Sequence, residues 1–383
     1  MCAEIDNAAH KDSRLTPNFT HFNMKMNMKT KLPILVNLLI VILSFSFTNF
    51  AQRQNDISLN AAERTQIIEA ILSRLNESYV LPETAAQMEK SIRSRIQKGE
   101  YNQIISSAAL AQTLTSHLRE ISNDKHLSVN FSYEPIPANE NQSEPTTEEK
   151  EMFRRFAGSQ NFGFEKVERL NGNVGFIELN GFINPELGAE TAIAAMNFLA
   201  NTDALIIDLR YNGGGEPGLA QLISTYFFSG KPVHLHSINW REGNRTQQYW
   251  TLPYVPGKRY VDKPIFILTS KRTFSAPESF AYNLQALKRA TIVGEITRGG
   301  ANPAKDFRVN EHFSLLVPIG RAVNPVTGTN WEGTGIKPDI ETTEVQASKT
   351  AHLAALQKLL DTSPSERKKM MLKGVIEEVE KQP

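Results

Sequence analysis

Ser275 stands in the run Thr273-Phe274-Ser275-Ala276-Pro277-Glu278, between an apolar stretch over residues 264–268 and an amphipathic stretch over residues 276–287. That spacing predicts a strand, a tight turn and a helix, with the serine at the start of the helix. The first N–H groups of a helix lack partners within it. A hydroxyl placed there can attack a carbonyl while those donors meet the developing oxyanion. The same spacing, Ser275 followed by Glu278, is also that of a capping box, which ends a helix for purely structural reasons. The local pattern leaves both readings open.

Other segments offer matching chemistry. Asn212-Gly213-Gly214-Gly215 follows an apolar run over residues 204–209. Consecutive glycines can turn their N–H groups into one concavity, although a tight turn uses the same residues. The Gly-Lys-Ser/Thr ending of a phosphate loop is absent, and the glycine spacing is not that of a dinucleotide fingerprint. Opposite a nucleophile, one such donor is worth about 2.7–4 kcal/mol of transition-state stabilisation. His126, in Asn123-Asp124-Lys125-His126-Leu127, sits on a turn from helix to strand and titrates in the range a general base needs; a loop histidine without a role has the same look. Glu332, in Trp331-Glu332-Gly333-Thr334-Gly335, is placed to orient an imidazole or to be a structural turn carboxylate. His234 and His236 alternate along a strand pattern with no evident third ligand, so no metal site is expected.

The elements that must position these residues follow from the rest of the chain. Its 383 residues carry 42 basic and 41 acidic side chains, a net charge of +1, with no basic stripe that would suit nucleic acid. The one cysteine is Cys2, which excludes a disulfide framework and a thiolate metal site. Lys25, Lys29 and Lys31 precede an apolar run over residues 32–47, and Ala51 follows. This is the layout of a secretory signal peptide, with an uncleaved anchor as the alternative. The expected organisation is an extension and signal over 1–51, a helical unit over 57–127 and a polar connection over 128–160 read as a loop. An α/β unit over 161–345 and a helical tail over 346–383 complete it. Within 57–127, helices are predicted at 61–75, 84–96 and 106–121. An exported protein, periplasmic or extracellular, without a stable membrane span after signal removal is expected.

Taken together, the segments resemble the C-terminal-processing, or tail-specific, serine proteases. The resemblance rests on Asp208-Leu209-Arg210-Tyr211-Asn212-Gly213-Gly214-Gly215, the Ser275 segment, Arg289-Ala290-Thr291-Ile292-Val293-Gly294-Glu295 and Thr297-Arg298-Gly299-Gly300-Ala301. It implies an α/β fold with a crotonase- or ClpP-like spiral core and a helical N-terminal subdomain. It also implies that Ser275 is the nucleophile. One branch of the family uses a Ser–Lys dyad, but Gly300 stands where that lysine would be. The chain is more similar to the branch of the tricorn core protease and interphotoreceptor retinoid-binding protein. That likeness implies His126 as base and Glu332 as its orienting carboxylate. The backbone N–H groups of Ala276 and of Gly214, or equally Gly213, would form the oxyanion hole. The interval from His126 to Asn161 is too short for a PDZ module. The implied activity is peptide-bond hydrolysis without metal or organic cofactor. A non-catalytic binder of apolar ligands, a structural protein on a dead hydrolase core, and a Ser–Lys peptidase using Lys271 or Lys305 are the alternatives.

Overall fold

The computed structural model describes residues 56–138 and 146–382. The expected signal peptide and the extension ahead of it lie outside the described residues. The chain opens with three helices, α1 (Ala61–Ser78), α2 (Pro82–Gln97) and α3 (Ser107–Ser122). Asn60 and Glu63 cap α1 reciprocally. Pro82 takes the first position of α2, where an N–H is not needed. Ser106 caps α3 by accepting from the Ala109 N–H at 3.0 Å. Their apolar faces bury Ile67, Ile71, Met88, Leu110 and Leu114 together. Asn123 ends α3 in the left-handed conformation, φ 51°.

Strand β1 (Ser128–Phe131) follows, then α4 (Thr147–Ser159). The helix corrects the expectation of a loop over this stretch. Thr146 and Glu149 form a capping box, with the Thr146 N–H donating to the Glu149 carboxylate at 2.7 Å and the Glu149 N–H to Thr146 Oγ1 at 3.2 Å. Only Ala157 of this helix is buried; Met152, Phe153 and Phe156, at the same helical spacing, are exposed.

The remaining elements are β2 (Phe164–Leu170), β3 (Val174–Leu179), α5 (Pro185–Leu199), β4 (Ala204–Asp208), α6 (Pro217–Thr225), β5 (His234–Trp240), β6 (Arg245–Trp250), β7 (Ile265–Thr269), α7 (Ala276–Ala286), β8 (Thr291–Gly294), β9 (Ala304–Arg308), β10 (Phe313–Pro318), β11 (Gly320–Val323), β12 (Ile340–Glu341), α8 (Ala347–Thr362) and α9 (Glu366–Glu380). Six strands make one sheet in the order β12-β8-β7-β4-β3-β2. All neighbours are parallel except β2, which runs antiparallel to β3. Both faces are covered, which is why β4 and β7 read as mostly apolar runs, with Asp208 and Thr269 at their ends. Leu205, Ile207, Ile265 and Ile267 face the core under α5, α6 and α7. Ile206, Phe266 and Leu268 face the core under α8 and α9.

Two antiparallel sheets complete this mixed α/β fold, β1-β10-β9 and β11-β5-β6. Phe313, Leu315 and Val317 of β10 pack in the same core as the three N-terminal helices. The helices and β1 are thereby tied to a hairpin nearly two hundred residues away in sequence. Among the described residues no helix is long and apolar enough to cross a membrane.

Candidate active site

Strands β8, β7 and β4 lie side by side and parallel, so the loops leaving their C-terminal ends must meet along one edge, where open α/β sheets place their ligands. The loop after β4 carries Asn212 to Gly215, the loop after β7 carries Ser275, and the loop after β8 carries Thr297 to Asn302. Hydrogen bonds stitch them together. Thr273 Oγ1 donates to Leu209 O at 2.9 Å and the Phe274 N–H to Asn212 O at 3.2 Å. On the other side the Arg298 N–H donates to Thr273 O at 3.1 Å.

Ser275 is the N-cap of α7 and has φ 70° and ψ −117°. This conformation costs a non-glycine residue about 1–3 kcal/mol and persists only where its surroundings enforce it. Glu278 is the enforcing group. Its side chain is fully buried, and one oxygen accepts from the Ser275 N–H at 2.8 Å and the Gly300 N–H at 2.9 Å. The other accepts from Thr297 Oγ1 at 2.5 Å and the Gly299 N–H at 2.6 Å. Burial raises its pKa, and these donors work against that rise. The spacing of a capping box hinted at Glu278, but not that it also pins the loop after β8.

The same loop meets a second carboxylate. Trp331 is buried and donates its indole N–H to Gly300 O at 2.9 Å, and the Gly333 N–H donates to Gly299 O at 3.1 Å. The turn so docked presents Glu332, whose Oε2 accepts from the N–H groups of Ala301 at 2.5 Å and Asn302 at 3.0 Å. Among the described residues its Oε1 is buried without a hydrogen bond of normal geometry, although the Lys125 N–H lies near enough to the carboxylate to lower its pKa, and Nδ1 of His126 is buried without a partner. The imidazole of His126 and the carboxylates of Glu332 and Asp124 offer atoms within 4.8 Å of one another. Asp124 is fully buried; it accepts from the His126 N–H at 3.1 Å, Asn302 Nδ2 at 2.9 Å and the Tyr79 hydroxyl at 3.3 Å. This residue, two before the histidine, was not singled out in the sequence. Its signal was the short spacing that lets an aspartate bond to the backbone two residues on.

The electrostatics set these groups apart. Burial, with Arg298 and Arg119 nearby, pushes His126 down to about 4. Burial and the neighbouring Asp124 push Glu332 up to about 7. Burial also raises Asp124 and the Tyr79 hydroxyl. An imidazole flanked by two carboxylates is a donor set that a divalent cation uses too. Here, however, the Asp124 oxygens and Glu332 Oε2 are already engaged by protein donors. His126 Nδ1 and Glu332 Oε1 are the atoms of this group with no hydrogen-bond partner among the described residues.

His126 and Ser275 approach through their neighbours. The ring of Phe274 lies against that of His126, centroids 4.4 Å apart. A Cβ at Gly300 would stand 2.2 Å from Phe274 Cε2 and 2.8 Å from His126 Cε1. A side chain at position 300 would thus collide with the imidazole and its aromatic neighbour. Lys271 is at the surface beside Glu295, 3.7 Å away, and Lys305 lies over the ring of Phe307. On the opposite wall, Gly214 has φ 140°, open to glycine alone, and a Cβ there would be 3.5 Å from Ser275 Cβ. Its N–H donates to Asn212 Oδ1 at 3.0 Å, while Gly213 meets nothing within 4 Å of a Cβ position. The N–H of Ala276, first in α7, has no acceptor within the helix.

Residues 173–342 match the family described as Peptidase family S41, and residues 53–158 match the N-terminal domain of that peptidase in eukaryotic IRBP. A carboxy-terminal-processing protease of Bartonella bacilliformis is 27% identical over 176 residues, 45% of this chain and 39% of that protein. A carboxyl-terminal-processing protease of Synechocystis is 30% identical over 123 residues, 32% of this chain and 27% of its own. The chain therefore spans well under half the length of these relatives. Among solved structures, a putative peptidase from Parabacteroides merdae superposes with a TM-score of 0.53 at 18% identity, covering 79% of this chain and 99% of that one. A lipoprotein from Streptococcus agalactiae gives 0.50 at 16% identity with the same coverage. At such identities the likeness is one of fold.

Proposed function

Because residues 173–342 match the model of peptidase family S41, we propose that the chain is a serine peptidase working through Ser275, His126 and Glu332. The hydroxyl of Ser275 attacks the scissile carbonyl as His126 takes its proton. The imidazolium then protonates the leaving amine, and an acyl-enzyme remains. Water, deprotonated by the same imidazole, releases the acid and restores the serine. Glu332 Oε1 accepts from the histidine's Nδ1–H, holding the tautomer and stabilising the imidazolium. The Ala276 N–H and the N–H of Gly213 or Gly214 receive the oxyanion. Since Asn212 already engages Gly214, Gly213 is the less encumbered donor.

The observation that carries this reading is the pair of buried, unpartnered polar atoms, His126 Nδ1 and Glu332 Oε1, on side chains that approach within 4.8 Å of each other. Leaving such groups unpaired costs about 1–3 kcal/mol each, and a proton shared between them removes that cost. A spiral core of the crotonase or ClpP type, the absence of a PDZ module, the division at residues 127, 160 and 345, and export to the periplasm or beyond belong to the same proposal. The short sequence interval between β1 and α4 and the largely parallel six-stranded sheet, with β2 alone antiparallel, support its structural part.

The test is covalent labelling by a fluorophosphonate, together with hydrolysis of a peptide library. The unaltered protein should label at one site, and Ser275→Ala should lose both the label and, by a factor on the order of 10⁴ or more, the hydrolysis. Labelling that persists in Ser275→Ala would sink the assignment. A protein that never labels but binds a lipophilic fluorophore saturably would be the apolar-ligand binder instead.

A further inference from the structure

Behind Ser275, a chain of amides fixes a second imidazole. Asn324 Oδ1 accepts from the N–H groups of Val326 at 2.9 Å and Thr327 at 3.2 Å. Its amide nitrogen therefore points the other way and donates to Asn283 Oδ1 at 3.0 Å. That leaves the Asn283 nitrogen facing His236 Nδ1 at 3.1 Å, so Nδ1 accepts and the ring carries its proton on Nε2. Tyr249 stacks on the ring, centroids 4.5 Å apart and planes 10° apart, which fixes its plane. Burial, with His234 nearby, lowers its pKa to about 4, consistent with a neutral ring.

No described group takes the Nε2 proton, and Nε2 is not among the sealed orphan atoms, which are His126 Nδ1, Asn302 Oδ1 and Glu332 Oε1. The N–H therefore opens onto accessible space. Beside it is a cavity of about 90 Å³ whose wall His236 shares with Ser275 and Ala276. Ile238, Ala322 and Trp331 line it with apolar surface, and Ser279, whose Oγ accepts from Asn283 Nδ2 at 3.3 Å, adds a hydroxyl.

We propose that this cavity receives the side chain on the acyl side of the scissile bond, and that His236 Nε2–H selects a compact side chain with a hydrogen-bond acceptor, of the threonine or serine class. The proposal rests on Ser275 being the nucleophile. A sealed cavity of about 150 Å³ holds benzene, so this smaller, partly open one suits compact side chains better than aromatic ones. Valine fits by shape, but it expels water from the N–H and gives nothing back. Threonine has nearly the same shape and supplies the acceptor.

The experiment compares kcat/KM for two peptides that differ only in threonine or valine at that position. The unaltered protein should favour threonine about tenfold, the yield of one net hydrogen bond. His236→Phe keeps the stacking on Tyr249 and removes the donor; its ratio should fall to about one or below. His236→Leu, which also removes the donor, serves if the phenylalanine variant does not fold, with the same expected ratio. A ratio near one in the unaltered protein, or a threonine preference that survives His236→Phe, overturns the proposal. Fluorophosphonate labelling of the unaltered protein separates the failures: a protein that labels without preferring threonine loses only this inference, and one that does not label loses the hydrolase reading.

Discussion

Two carboxylates grip one short segment of backbone, and they grip it differently. Glu278 takes the N–H groups of Gly299 and Gly300; Glu332 takes those of Ala301 and Asn302. Burial raises the pKa of both. Glu278 then fills its remaining capacity with Thr297 and the Ser275 N–H, while Glu332 keeps Oε1 empty beside an equally unpartnered imidazole nitrogen. A saturated carboxylate is scaffold, because every lone pair it offers is spent on holding the chain. A carboxylate with one spare oxygen can still receive a proton. Polar satisfaction, more than burial, separates the structural acid from the chemical one.

Matched amide substitutions are the strongest way to break that comparison. Glu332→Gln keeps the shape and removes the charge, so the acylation rate should fall by a factor on the order of 10⁴ with little change in the denaturation midpoint. Glu278→Gln should do the reverse. Its amide nitrogen must face two donors that formerly bonded to oxygen, and losing them should cost about 2–4 kcal/mol of stability in chemical denaturation. Its activity should suffer only as far as the Ser275 elbow and the 297–300 segment relax. A Glu278→Gln protein as stable as the original but inactive would put Glu278 into the chemistry and erase the distinction.

This difference was only half legible in the sequence. Leu205 to Asp208 and Ile265 to Thr269 announce buried parallel strands by their apolar runs, and Ser275 announces a helix start by its neighbours Pro277 and Glu278. Those signals are local, and so is the glycine run after β4. What Glu278 and Asp124 do is not local. Glu278 meets Thr297 and Gly300, about twenty residues on; Asp124 meets Tyr79 and Asn302, the latter 178 positions away. A single sequence shows a capping glutamate and a turn aspartate, and only the fold shows which donors reach them. The α4 helix was hidden for a different reason: its apolar residues Met152, Phe153, Phe156 and Ala157 fall within two turns of an otherwise polar stretch, and only Ala157 is buried. Conversely His234, which shared a strand face with His236 in the sequence pattern, stacks on Trp250 and bonds Ser237 Oγ at 2.9 Å; a register irregularity between the two histidines places them against different residues of β6.

The finest test of the spare oxygen uses pH. In the unliganded protein His126 is held near 4 and stays neutral above that, so the group that must lose a proton for catalysis is Glu332, near 7. kcat/KM, which reports the free protein, should therefore rise with pH through a midpoint near 7. Asp124 is the charge that helps hold the midpoint up; Arg119, Arg298 and Tyr79 are the other titratable groups around the pair. Asp124→Asn removes the negative charge and keeps an oxygen for the His126 N–H. The midpoint should move to lower pH, and activity at pH 6 relative to pH 8 should rise on the order of threefold, as a half-unit displacement gives. Stability should respond with the opposite slope. Glu332 binds its proton more tightly folded than unfolded, where its value is the ordinary 4.5, so its contribution is full below about 4.5 and is lost as pH rises through about 7. The window that gains activity is the window that loses stability, and Asp124→Asn should flatten both slopes together. An activity midpoint that moves while the stability slope does not would mean that the group governing catalysis is not Glu332.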